Sequence, residues 1–147
     1  MSKILILGGD GYLGWPTAMH FAAKGWDVCS IDNYTKRRIS SESFSQPLVD
    51  FPEMDIRTKD LKASLGLNIE HVTGDLRDYD FISEIVKDFC PDTIVHYAEQ
   101  PSAPYSMQGR SEAIFTQKNN VLGTLNLIFG IKKFCSNAHI LKLGTMG

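Results

Sequence analysis

The sequence is sparing in cysteine, has no long apolar run and carries nearly balanced charge. Its three cysteines form no CxxC pair, so neither a zinc site nor a disulfide framework is predicted. His20, His71 and His139 share no metal-ligand spacing with a cysteine or a carboxylate, and we predict no metal. No apolar stretch approaches the roughly 20 residues that span a bilayer. A net charge of −2 offers no broad positive surface to nucleic acid or to anionic lipid.

A signal-peptide pattern is also missing, because a strand pattern begins at Lys3. Together with the few, unpaired cysteines, this favours a reduced, cytoplasmic compartment. The 147 residues suffice for one domain that buries about 70% of its unfolded surface. We therefore expect a single globular domain over residues 1–147.

Short apolar runs alternate with segments of helical periodicity along the chain. The sequence predicts strands at residues 3–7, 28–31, 69–73, 93–97 and 139–143, and helices at residues 13–24, 80–89 and 111–134. Such alternation is typical of parallel strands joined by right-handed crossovers. The predicted fold is a doubly wound α/β sheet, Rossmann-like, with strand order 3-2-1-4-5 and an incomplete C-terminal edge.

The connection over residues 34–68 is long for this architecture. It contains Pro47, Pro52 and a serine-rich stretch, followed by a helical pattern at residues 54–65. Loops of this length are uncommon unless they serve binding or are disordered. We interpret it as an inserted, partly irregular flap.

A glycine-rich loop, GGDGYLG, follows the first predicted strand. Gly8 permits a tight turn, Gly11 lets the backbone approach a diphosphate, and Gly14 lets the helix pack closely on the strand. The amides at the helix start, including those of Tyr12 and Leu13, would then face the phosphates. The loop predicts a dinucleotide site, whereas a purely structural turn is the alternative.

An acidic residue, Asp32, ends the second strand about 20 residues beyond the loop, where a carboxylate binds both ribose hydroxyls. The basic residues Lys36, Arg37 and Arg38 follow, and such a cluster suits the 2′-phosphate of NADP. The carboxylate of Asp32 would repel that phosphate, so NAD is favoured. The basic cluster would then contact the other phosphates or face water.

Three later segments extend the predicted site. Gly74 and Asp75 close the third strand, within reach of an adenine amino group. The fourth strand ends in HYAEQPSAPYS, at the topological switch point where open sheets bind ligands, which places Tyr97 and Glu99 near the cofactor. Asn119 lies in NNVLGT within the long helix. For each segment taken alone, packing is an equally good interpretation.

These motifs together resemble the extended short-chain dehydrogenase/reductases. GGDGYLGW, EQPSAPYSM, TQKNNVLGTLN and KLGTMG are similar, more narrowly, to the UDP-sulfoquinovose synthase family. The resemblance covers nearly the whole chain and is weakest in the flap. It implies an NAD-dependent enzyme that joins sulfite to UDP-glucose through a 4-keto sugar, with the hydride leaving C4 and later returning to it.

The resemblance also implies roles for individual residues. NAD would be held by Gly11, Tyr12, Leu13, Asp32, Asn33, Arg37, Asp75, Leu76 and Asn119. Thr145 would hydrogen-bond the sugar's 4-hydroxyl as the catalytic residue, and Gln100 and Ser102 would face the sugar.

Two departures from the family pattern stand out. Pro101 occupies a position that is basic in the plant enzymes, and proline offers neither charge nor donor. The family's chemistry also requires a Tyr with a Lys four residues later, and none of the five tyrosines has one. We expect that this pair and the sugar-binding portion lie beyond Gly147, that the chain alone is inactive, and that the strand at residues 139–143 pairs with another copy.

Two other functions stay open on the sequence. A UDP-sugar 4-epimerase or dehydratase shares the fold and the cofactor. A non-catalytic NAD-binding module is consistent with the missing Tyr/Lys pair.

Overall fold

The computed structural model describes residues 1–42, 45 and 47–144. Within these residues, one parallel sheet has the order β3-β2-β1-β4-β5, which confirms the predicted topology. The strands are β1 (Lys3–Leu7), β2 (Asp27–Asp32), β3 (Glu70–Thr73), β4 (Thr93–His96) and β5 (His139–Lys142). The order reverses between β1 and β4, so a crevice opens beyond the carboxyl ends of these two strands.

Helices cover both faces of the sheet. They are α1 (Gly14–Ala23), α2 (Thr35–Glu42), α3 (Met54–Leu65), α4 (Tyr79–Phe89), α5 (Ala103–Ser106), α6 (Arg110–Gln117) and α7 (Gly123–Phe134), with a π-helical turn (Lys118–Leu122) between the last two. Alternate side chains of β1 enter different cores. Leu5 and Leu7 pack under α4 and α7, while Ile4 and Ile6 pack under α1 and α3.

The helix predicted over residues 111–134 is present without a break from Arg110 to Phe134, but it is not α-helical throughout. The π-helical turn widens it at Lys118–Leu122, because one extra residue per turn enters the hydrogen-bond ladder there. The flap is also more regular than expected, since α2 begins directly after Tyr34, a residue in the left-handed region at φ +55°. Asp78 caps α4, because its side chain accepts a hydrogen bond from the amide of Phe81 at 3.1 Å.

No helix in the described part of the chain has the length and apolar character needed to cross a membrane.

Candidate cofactor site

The glycine loop turns directly at the end of β1. The amides of Gly8 and Gly9 both donate to the carbonyl of Ile31, at 2.8 and 3.0 Å, which ties the loop to β2. Gly8 has a φ of +87°, and a Cβ there would lie 2.9 Å from the backbone of Tyr97 and Ala98. Only glycine fits a position with both constraints.

The loop and the start of α1 are in close contact. A Cβ on Gly14 would lie 2.0 Å from the carbonyl oxygen of Gly8, so this glycine permits the helix to approach the loop. A Cβ on Gly9 would lie 1.7 Å from Ser30 Oγ, so a side chain there would require the Ser30 hydroxyl to move. The GxxGxxG spacing gave no role to Gly9.

Free backbone donors mark the start of α1. In the described part of the chain, the amides of Tyr12, Leu13 and Gly14 donate no hydrogen bond, and all three residues line the main cavity. Their position at a helix N-terminus suits a diphosphate, which would accept from these amides and meet the positive end of the helix dipole. The loop therefore fits the diphosphate of a dinucleotide.

The main cavity holds about 860 Å³ and opens at the switch point between β1 and β4. Most of the predicted site residues line it: Gly8, Gly11, Tyr12, Leu13, Gly14, Asp32, Asn33, Lys36, Arg37, Leu76, Tyr97, Glu99, Gln100 and Asn119. Asp75 and Ser102 do not line it. Thr145, the predicted catalytic residue, lies outside the described residues.

Asp32 is held by two backbone amides. Its Oδ2 accepts from the amide of Asp10 at 2.9 Å, and its Oδ1 accepts from the amide of Tyr34 at 2.8 Å. Burial raises the pKa of this carboxyl, and the two amide hydrogen bonds oppose that rise. Each carboxylate oxygen keeps a further lone pair, so Asp32 can still accept from ribose hydroxyls.

A buried ion cluster lies beside Asp32. The carboxylate of Asp10 accepts from Arg37 at 2.6 and 2.7 Å and from Arg57 at 2.9 Å. The Asp10 side chain is only 7% exposed and that of Arg57 12%. Arg57 stacks on Trp15 with 4.2 Å to the ring centroid, and burial lowers its pKa. This Asp10 ion cluster (Asp10, Arg37 and Arg57) joins the glycine loop to α2 and α3.

The cluster bears on the choice between the two cofactors that the basic residues left open. Arg37 is bonded to Asp10, which also accepts from Arg57, and Arg38 pairs with Glu42 at 2.9 Å. Both guanidiniums are thus engaged by carboxylates, whereas Lys36 lines the cavity. Asp32 lines the same cavity, and its carboxylate suits a ribose diol and repels a 2′-phosphate, which favours NAD over NADP.

Asp75 forms an ion pair instead of facing the cavity. Arg77 donates to it through Nε and Nη2, the shorter contact being 2.6 Å, and Asn33 Nδ2 donates at 2.9 Å. Although burial raises it, the pKa of Asp75 is lowered overall by these hydrogen bonds. The predicted contact of Asp75 with adenine stays a prediction.

A residue of the π-helical turn, Asn120, holds the segment after β4 by two hydrogen bonds. Asn120 Oδ1 accepts from the backbone amide of Gln100 at 2.9 Å, and Asn120 Nδ2 donates to its carbonyl at 3.0 Å. The Gln100 side chain is buried, accepts from the amide of Ser102 at 2.6 Å and donates to Thr116 Oγ1 at 3.0 Å. This arrangement positions the backbone that forms the β4 side of the cavity.

His96 ends β4, and Glu99 follows three residues later in the segment that lines the cavity. Glu99 pairs with Lys142 of β5. His96 is 1% exposed, and its Nε2 lies 3.1 Å from Thr124 Oγ1. The Thr124 hydroxyl already donates to the Asn120 carbonyl at 2.6 Å, so His96 Nε2 carries the proton and donates. Burial lowers the pKa of His96 to about 4, which keeps the ring neutral.

Several residues that form the site carry little signal in the sequence. The motif GGDGYLG gives Asp10 no separate role, and Arg57 has no local signal, because its partner lies 47 positions away. The segment NNVLGT indicates Asn119 and does not distinguish its neighbour Asn120. Arg77 lies two positions after Asp75, a spacing that does suggest a local ion pair.

The fold and the glycine-loop site define a dinucleotide-binding protein of the doubly wound class. Over residues 4–146 the chain matches the NAD dependent epimerase/dehydratase family, and it belongs to that family. The predicted cofactor, NAD, is thereby confirmed as the cofactor of the family.

Two curated relatives are more specific. The chain is 43% identical over 145 residues to a chloroplastic UDP-sulfoquinovose synthase from Spinacia oleracea, covering 99% of this chain and 30% of that protein. It is likewise 43% identical to a UDP-sulfoquinovose synthase from Sulfolobus acidocaldarius, covering 99% of this chain and 37% of that protein. These values confirm the resemblance drawn from the motifs. The chain spans about a third of the length of these relatives.

A solved structure supports the fold independently. UDP-glucose 4-epimerase from Bifidobacterium longum, in complex with NAD+ and UDP, superposes with a TM-score of 0.74 at 23% identity. The match covers 98% of this chain and 37% of that one. At this identity the similarity is one of fold.

Proposed function

We propose that this chain supplies the NAD-binding part of an enzyme that converts UDP-glucose and sulfite to UDP-sulfoquinovose. The observation that carries the proposal is the 43% identity to two such synthases over nearly the whole chain. It is supported by a cavity whose lining contains nearly all the residues that the resemblance assigns to NAD.

Each part of the cavity would have a separate task in this reaction. The free amides of Tyr12, Leu13 and Gly14 would bind the NAD diphosphate, and Asp32 would accept from the ribose hydroxyls. Bound NAD would supply the chemistry of hydride removal from C4 of the sugar and its return. Thr145 would hydrogen-bond the 4-hydroxyl of the sugar, and Gln100 and Ser102 would position the segment that faces it.

The remaining assignments follow from the same proposal. Residues 1–147 would form the NAD-binding domain, with residues 34–68 as a flap over the adenosine side, and the sugar-binding part would be supplied by further sequence. The protein would act in the cytoplasm, because its three cysteines suit a reduced compartment. Fractionation of cells that carry a tagged copy tests this location.

A homo-oligomer is part of the proposal. Among the residues that the structure describes, strand β5 forms one edge of the sheet, and its residues Ile140 and Leu141 are 37% and 48% exposed. An open edge strand offers unpaired backbone groups to a second copy. Sedimentation that shows a monomer at high concentration would contradict this.

The decisive experiment measures the product. The enzyme that contains this chain is incubated with UDP-glucose, with and without sulfite, and the nucleotide sugars are separated by mass. A sulfite-dependent UDP-sulfoquinovose peak supports the proposal. Conversion of UDP-glucose to UDP-galactose without any effect of sulfite would refute it.

A UDP-sugar 4-epimerase is the second candidate, because Pro101 lines the cavity with neither charge nor donor for a sulfonate. The same experiment distinguishes the two, since an epimerase forms UDP-galactose at equal rates with and without sulfite.

A further inference from the structure

Two of the cysteines that are far apart in the sequence lie next to each other in the fold. The Sγ atoms of Cys90 and Cys135 are 3.1 Å apart, although 45 positions separate the residues. Both are free thiols. Neither lines the main cavity, so the proposed NAD site gives no role to this pair.

The topology explains why they meet. Helices α4 and α7 each precede a parallel strand on the same face of the sheet, so they run in the same direction and end at the same edge. Cys90 is the residue that follows α4, and Cys135 is the residue that follows α7. The two thiols therefore occupy equivalent positions at the ends of neighbouring helices.

Backbone hydrogen bonds hold both residues in place. The amide of Cys90 donates to the carbonyl of Val86 at 3.0 Å, and the amide of Cys135 donates to the carbonyl of Ile131 at 2.8 Å. The Cys135 thiol also lies 3.3 Å from the Val86 carbonyl oxygen, so the two cysteines share one anchoring group. Little chain entropy remains to be lost when the sulfurs join.

The two thiols differ in access. Cys90 is exposed to solvent, whereas Cys135 is buried. Burial and the neighbouring Cys90 raise the pKa of Cys135 to about 11. An oxidant from solution would therefore meet Cys90 first, and Cys135 would act second.

We propose that Cys90 and Cys135 form an oxidisable dithiol site, which a low-molecular-weight disulfide converts to an intramolecular disulfide. The Cys90 thiolate attacks the small disulfide, which releases one thiolate and leaves a mixed disulfide on Cys90. Cys135 then loses its proton and attacks the Cys90 sulfur, which releases the second small thiol. Two protein thiols are oxidised and one disulfide is reduced to two thiols.

The bond would close a loop that carries β4, the segment after it and the π-helical turn, which together form one side of the cavity. Local opening of α7 away from α4 would then be blocked, because the ends of both helices are joined. Oxidation is expected to raise the midpoint of thermal unfolding by roughly 5–10 °C. Amide exchange in α7 is expected to slow by about tenfold or more.

The test uses the purified chain and glutathione disulfide as the probe. Reduced and oxidised samples are compared by intact mass, by peptide mapping and by thermal unfolding, alongside Cys90→Ser, Cys135→Ser and the matched control Cys29→Ser. Cys29 is buried in β2, and burial raises its pKa to about 12, so its loss should leave the reaction unchanged.

The proposal expects a linked Cys90–Cys135 peptide, a mass lower by two hydrogens and a higher unfolding midpoint, all abolished in Cys90→Ser and Cys135→Ser. A lasting glutathione adduct on Cys90, a disulfide between two chains, or unreactive thiols would each overturn it. If a serine variant fails to fold, peptide mapping of the wild-type chain and of Cys29→Ser decides alone.

Discussion

The Arg57 guanidinium donates a 2.9 Å hydrogen bond to Asp10 across 47 positions of sequence. One residue belongs to α3 at the end of the flap, and the other to the glycine loop. Asp10 in turn offers its backbone amide to Asp32 at 2.9 Å. The flap, the diphosphate loop and the ribose carboxylate are thus connected through one aspartate.

Replacing Arg57 by Gln should destabilise the chain measurably. The Asp10 carboxylate would lose one charged donor while buried, although Arg37 would still pair with it. We expect the free energy of unfolding in urea to fall by about 1.5–3 kcal/mol. Affinity for NAD should fall as well, because the loop loses its attachment to α3.

The matched control is Arg38→Gln. Arg38 pairs with Glu42, but both side chains are more than half exposed, so the loss should stay below about 0.5 kcal/mol. Equal losses in the two variants would contradict a structural role for the Asp10 ion cluster.

Substitutions of Asp32 should separate binding from folding. Asp32→Ala removes the acceptor for two backbone amides as well as for the ribose, so both stability and NAD affinity should fall. Asp32→Asn keeps one acceptor and should lower affinity by about 1–3 kcal/mol with a smaller loss of stability. Calorimetric titration with NAD and urea unfolding measure the two effects.

Asp78→Ala provides the comparison, since Asp78 caps α4 away from the cavity. It should cost about 1 kcal/mol of stability and leave NAD affinity unchanged. Unchanged affinity in Asp32→Asn would refute the proposed ribose contact.

Stability should depend on pH through His96. The folded chain holds this ring neutral with a pKa lowered to about 4, whereas the unfolded chain takes up a proton near pH 6.5. The unfolded state therefore binds more protons between these values, and stability falls as the pH drops through this window. The expected loss is about 3 kcal/mol.

His96→Asn should remove this part of the pH dependence, and the difference between wild-type and variant curves isolates it from carboxylates that titrate nearby. Glu99 and Lys142 influence the His96 ring and remain in both proteins. His139→Asn, the same substitution at an exposed position, controls for the exchange of a histidine as such. Parallel curves for wild type and His96→Asn would show the prediction to be wrong.

The neighbours Asn119 and Asn120 allow a test of the π-helical turn. Asn120→Ala removes both partners of the Gln100 backbone and should reduce the free energy of unfolding by about 2 kcal/mol. Among the described residues, the Asn119 side chain forms a hydrogen bond only with the Asn120 side chain. Asn119→Ala should therefore reduce the free energy of unfolding by less than Asn120→Ala does. Weaker NAD binding by Asn119→Ala, without a comparable loss of stability, would support its predicted contact with NAD.

The sheet could be predicted from the sequence because its signals are local. The apolar run at Lys3–Leu7 has no polar face, as suits a central strand buried on both sides, and the helical segments between strands imposed parallel crossovers. The π-helical turn could not be predicted, because it spans only Lys118–Leu122. The spacing of apolar residues over so short a segment does not distinguish a π-helix from an α-helix. Helix α2 was missed because its serines and charged residues resemble a loop.

The residues of the candidate site likewise fall into those that could be predicted from the sequence and those that could not. Gly8, Gly14 and Asp32 were identified because their roles depend on fixed spacings along the chain. The charge pairing of Asp10 with Arg57 and the contact of Cys90 with Cys135 depend on how separate elements pack. The sequence pattern of a single helix or strand does not indicate which residues of another element it will contact. Such contacts are therefore seen only in the folded structure.

Strand β1 lies at the centre of the sheet, so its pairing is complete only after a distant strand has formed. It pairs with β4 as well as β2, and the amide of Lys3 bonds Asp92 across 89 positions. Contacts so far apart form slowly, because a long loop must close first. Until β4 has been synthesised, β1 therefore has one unpaired edge, whose backbone groups can pair with other nascent chains. The glycine loop is made before the residues around Tyr97, whose backbone lies against Gly8 in the folded chain.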